Sequence, residues 1–133
     1  MRYGELIQLY FERSNALQAY WTLYVVIVGG LLAFSSIRKH AAPLTTAIVT
    51  LLFALFAFKN LDAIHDVTLQ RDAALRVITQ ADAGDLQARR DVIERTLVPA
   101  SWGGAAATHI VSDVLTIAAL WAMELRRKRE PAP

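Results

Sequence analysis

An all-α integral membrane fold with three transmembrane helices is predicted by three observations on the sequence. Apolar blocks of spanning length occupy 16–37, 41–58 and 103–125, charged residues are largely confined to the segments between them, and basic clusters close two of the blocks. No helix breaker follows the second block until Gly84, so a long second helix extends into an extramembrane helical hairpin. The 133 residues, 55% of them apolar, make a single membrane domain.

Segment 1–14 places Tyr3, Leu6, Ile7, Tyr10 and Phe11 at helical spacing and is read as an interfacial helix, with Ser14-Asn15 starting the first span. Glu5 and Glu12 precede an apolar block too long for a cleaved leader, so the first span is expected to be retained. That span, TM1 over 16–37, carries Tyr20, Trp21 and Tyr24 at one end as an interfacial aromatic belt and stops at Arg38, Lys39 and His40. Gln18, Thr22, Gly29, Ala33 and Ser36 form a small or polar stripe along it, suited to helix packing. Pro43 suits the first turn of TM2, which covers 41–58 and continues as helix to about residue 81.

Asp82-Ala83-Gly84-Asp85 reads as a turn with Asp85 as N-cap. An amphipathic helix follows over 85–98, with Leu86, Ile93 and Leu97 on one side, ended by Pro99. TM3 covers 103–125, and 126–133 is a basic tail. Arg38, Lys39, Arg126, Arg127, Lys128 and Arg129 are expected to act as a topology anchor at lipid headgroups. With three spans, the 38–42 loop and the tail share one side and hold six Lys or Arg in about 13 residues, against eight in about 58 opposite, where nine carboxylates offset them. The density at the span ends favours a multi-pass protein of a bacterial inner membrane with its N-terminus outside and its C-terminus in the cytoplasm.

Composition excludes several chemistries. The absence of cysteine removes disulfides, thiolate metal sites, iron-sulfur clusters and cysteine nucleophiles. The net charge of +2 conceals segregated charges and argues for no nucleic-acid partner. There is no phosphate-binding glycine loop, no GxSxG and no HExxH.

What calls for a reason is Asp113, a carboxylate well inside an apolar block. His109, Ser112, Asp113 and Thr116 fall at i, i+3, i+4 and i+7, a polar stripe that lipid cannot satisfy. Taking about 1.5 Å per helical residue from the basic ends, Asp113, His109, Lys59 and Asp62 all come out roughly 20 to 28 Å above the inner boundary. Lys59, Asp62 and Asp66 share one face of the second helix, with His65 close by.

The preferred reading is that Lys59 or His109 neutralises Asp113, with Lys59 and Asp113 as an ion pair or relay, while Asp62, His65 and Asp66 lie on a solvated extension. A sharper reading converges His65, His109, Asp62, Asp66 and Asp113 on a divalent metal, since imidazole and carboxylate suit zinc, iron or manganese. Two histidines on adjacent spans could also hold a haem iron, a reading ranked below the divalent metal. No cofactor is firmly implied. The expected function is that of a small non-enzymatic membrane protein, in contact with lipid, serving as an oligomeric or accessory subunit of a homo-oligomer or larger membrane complex. The alternatives are a metal-dependent membrane enzyme or redox protein using the polar cluster, and an ion or proton pathway formed between protomers.

Overall fold

The computed structural model describes residues 1–129, and the last four residues of the basic tail lie outside them. The chain is all helical: α1 (Tyr3–Ile37), α2 (Pro43–Gln80), a 3-10 turn (Gly84–Arg89), α3 (Arg90–Glu94) and α4 (Trp102–Arg129). Helices α1, α2 and α4 are each long and apolar enough to cross a membrane. Two compact units partition the chain, one of Met1–Trp21 with Ala63–Trp102, the other of Thr22–Asp62 with the residues from Gly103 onward.

The first unit has a conventional apolar core. Tyr3, Leu6 and Tyr10, one helical face of α1, are buried with Ala74 and Ile78 of α2 and with Ala83 and Leu97 of the connecting segment. Arg90 donates to the carbonyls of Ile78, Thr79 and Ala81 at 3.3, 2.6 and 3.0 Å, bonding the backbone where α2 ends. Its Nε also pairs with Glu94 at 2.7 Å. Tyr10 Oη and Arg71 both donate to the Val98 carbonyl, at 2.8 and 2.6 Å, with the Arg71 guanidinium 4.9 Å from the Tyr10 ring centre. Burial pushes the Tyr3 phenol above its ordinary value of 10.0, the Glu94 carboxylate beside it acting in the same direction and Arg90 against.

Two sequence expectations are corrected here. There is no separate interfacial helix over 1–14: α1 is continuous from Tyr3 to Ile37. Ser14 does not cap a new helix, because its hydroxyl donates to the Tyr10 carbonyl four residues back at 2.9 Å, a bond compatible with uninterrupted helix. Asp85 caps nothing either. Asp82 Oδ1 instead accepts from the Gly84 amide at 3.0 Å, and Gly84 takes φ +52, so the chain enters a 3-10 turn and then α3, which stops at Glu94 rather than Val98.

The second unit has the opposite polarity. Among its described residues ten are buried, and six of these are polar or charged, namely Ser35, Thr46, Asn60, His109, Thr116 and Glu124, beside Tyr24, Phe53, Ala57 and Leu120. Its outside is apolar: Val25, Val26, Leu44, Leu51, Leu52, Leu55, Phe58, Val111, Val114 and Leu115 are each more than half exposed. Gly29 meets nothing within 4 Å of where a Cβ would stand, nor does Gly30, so the stripe that includes Gly29 does not bring helices of this chain together at that point.

Candidate functional site

Apart from Thr116, whose hydroxyl donates to the Ser112 carbonyl of its own helix at 2.7 Å, the buried polar groups of the second unit fall into two layers, each drawing on α1, α2 and α4. Tyr24 and Ser35 on α1, Asn60 and Thr46 on α2, and His109 and Glu124 on α4 are separated by about three to four helical turns, which puts the layers roughly 16 to 22 Å apart along the helices. Buried polar groups need hydrogen-bond partners, and here these come from one another and from backbone carbonyls.

In the first layer Asp113 accepts from Tyr24 Oη at 2.7 Å on Oδ1 and lies 2.9 Å from His109 Nδ1 on Oδ2. His109, wholly buried, reaches across to Asn60 Oδ1 with Nε2 at 3.1 Å and stacks against the Tyr24 ring with centroids 4.1 Å apart. The imidazole thus has a partner on each nitrogen, the Asp113 carboxylate at Nδ1 and the Asn60 amide at Nε2, which fixes the ring between α2 and its own helix.

The second layer centres on Glu124, which is wholly buried near the basic end of α4. Its Oε2 accepts from Thr46 Oγ1 at 2.9 Å and from Arg127 at 3.0 Å, with an Arg38 guanidinium nitrogen 3.7 Å away. Arg127 also donates to the Ser35 carbonyl at 2.7 Å, supplying a partner to the last turn of α1 from a different helix. Arg38 donates to Thr46 Oγ1 at 3.1 Å and to the Ala42 carbonyl at 3.3 Å. A single carboxylate is thereby shared by two guanidiniums and tied to all three helices. Comparisons of the chain with family models, curated proteins and solved structures return no match.

Of the residues singled out in the sequence, the structure joins His109 and Asp113 directly. Lys59 pairs with Asp62 at 3.8 Å, both side chains being exposed, while Asp113 takes its partners from Tyr24 and His109. His65 belongs to the first unit, where its ring lies 4.4 Å from that of Trp102, and Asp66 is exposed. Among the described residues no group of three or more His, Asp or Glu side chains is arranged to hold a metal ion. Arg38, Lys39, Arg126 and Arg127 gather at one cavity, whereas Lys128 and Arg129 are exposed beyond it.

Three functional residues escaped the sequence reading. Tyr24 passes for an interfacial aromatic but is 3% exposed and anchors Asp113. Asn60 passes for the margin of a span, and Glu124 for a flank of the basic run. The available signal was their spacing: Glu124 precedes Arg127 by three residues and follows His109 by about four turns, as Asn60 follows Thr46.

Proposed function

We propose that this protein is a small multi-pass membrane subunit without catalytic activity of its own, acting in an oligomer or as an accessory component of a larger membrane complex. The observation that carries the membrane reading is the inverted polarity of the second unit. Ten large apolar side chains stand outward around a centre in which polar residues outnumber apolar ones. In water that arrangement discards most of the hydrophobic driving force. In hydrocarbon it is the stable one, because apolar side chains match the solvent and polar groups must pair internally. The basic ends of α1 and α4 support an inner-membrane orientation with the N-terminus outside and the C-terminus cytoplasmic.

The non-catalytic reading is supported by the ties that each layer makes between helices. Asp113 joins α4 to Tyr24 of α1 and Glu124 Oε2 joins α4 to Thr46 of α2, which suits fixing helix register. Two measurements test the proposal. The protein should stay in the membrane fraction through alkaline carbonate extraction, and release into the supernatant overturns the membrane reading. Asp113→Asn should lower thermal stability or assembly in detergent with no change in metal content. Unchanged stability with loss of a bound metal or of a catalytic activity overturns the structural role.

A further inference from the structure

We propose that the cavity at the basic ends of α1 and α4 is a binding site for the headgroup of one anionic phospholipid, an inference that rests on the membrane reading above. The cavity, about 410 Å³, is lined by Ser36, Arg38, Lys39, Met123, Arg126 and Arg127. Four of these six side chains are cationic and none is anionic.

The site is built rather than incidental. Arg38 and Arg127 are held in place by Thr46, Glu124 and the Ser35 and Ala42 carbonyls, so two guanidiniums are oriented before any ligand arrives. They share the one carboxylate of Glu124, which leaves positive charge in excess where they meet the cavity. Arg127, 7% exposed, meets the cavity alongside Arg38, Lys39 and Arg126. A phosphate oxygen accepts strongly from guanidinium and ammonium groups, and Lys39 and Arg126 add such groups at the wall, while the Ser36 hydroxyl donates to the Ala33 carbonyl at 2.8 Å.

The surroundings select the source of the phosphate. Ile37 and Leu125, which adjoin Arg38 and Arg126 in sequence, are 75% and 50% exposed. A ligand with an anionic head and an apolar body matches cavity and flanks together, whereas inorganic phosphate uses only the former. The chemistry is that of a phosphodiester carrying acyl chains.

The test uses the full chain, delipidated in neutral detergent and titrated with dioleoyl phosphatidylglycerol or dioleoyl phosphatidylcholine, with bound lipid counted by native mass spectrometry. Phosphatidylglycerol should occupy one saturable site at least about tenfold more tightly than phosphatidylcholine. Lys39→Gln with Arg126→Gln should weaken that site by about tenfold or more, while Lys128→Gln with Arg129→Gln, an equal loss of charge outside the cavity, should change it less than about twofold. Lys39→Gln alone, at an exposed position, supplies the reading if the double variant loses its fold. An equal effect of the two pairs reduces the attraction to diffuse charge and overturns the site, as does equal affinity for the two lipids. Displacement of phosphatidylglycerol by millimolar inorganic phosphate overturns the lipid assignment. Carbonate extraction reads membrane insertion separately, so an inserted protein with no lipid preference sinks this inference and leaves the membrane reading standing.

Discussion

Glu124 shows how strongly one side chain can depend on its partners. Removing it in Glu124→Ala leaves the guanidiniums of Arg38 and Arg127, 14% and 7% exposed, with no carboxylate between them. Breaking a buried pair in this way costs about 3–5 kcal/mol. Glu124→Gln keeps an acceptor for Thr46 and Arg127 and removes only the charge, so its cost is expected nearer about 1–3 kcal/mol. Thermal unfolding in detergent should rank the wild type first, then Glu124→Gln, then Glu124→Ala, and the reverse order of the two variants would contradict the shared-carboxylate geometry. Asp113 was conspicuous in the sequence because nothing near it in the chain neutralises it except His109. Glu124 was hidden because the arginines following it make it look like an ordinary charged flank, and only the fold reveals that it is wholly buried. Tyr24 was hidden for a related reason: an aromatic near a span end serves equally as a belt residue or as a donor turned inward, and periodicity does not separate the two.

Among the elements, α2 was the most legible, because an unbroken run of helix formers from Pro43 to a glycine turn leaves little freedom about where it starts and stops. Its observed limits match an apolar block that runs on as a partly exposed helix. The junction in α1 was misjudged because Ser-Asn before an apolar block is a helix-start signal whose outcome depends on where the hydroxyl points. Here it points back to the Tyr10 carbonyl, and the face of Tyr3, Leu6 and Tyr10 is already engaged with Ala74 and Ile78. Ser14→Ala is therefore expected to change stability by less than about 0.5 kcal/mol, against about 1 kcal/mol for loss of a true N-cap. Denaturation of the paired proteins checks this, and a loss on the scale of a cap would restore a break in α1. The segment after α2 was shortened relative to expectation because Asp82, not Asp85, satisfies the turn, and because Arg90 is drawn back to bond the end of α2 instead of lying on the polar face of a longer helix.

At the scale of the whole chain, the two units answer different demands. The first buries tyrosines and aliphatic residues with their polar tips bonded, as a domain in water does, and its Tyr3 phenol has a raised pKa. A phenol whose folded pKa exceeds its unfolded value contributes stability in full below about pH 10, and loses it as pH climbs through the folded value. Thermal midpoints at about pH 8 and about pH 11 should therefore diverge less in Tyr3→Phe than in the wild type, with an undiminished difference counting against the buried phenol as a source of the alkaline loss. Hydropathy and charge density alone determined that three helices of spanning length exist, which ends carry the basic residues, and that a carboxylate within an apolar block needs a partner. These follow from chain-local quantities: length, side-chain transfer preference and 3.6-residue periodicity. Which side chains meet was decided by tertiary structure alone, because Asp113 with Tyr24 and Glu124 with Thr46 are pairings across helices, set by rotation and axial offset that no single segment encodes.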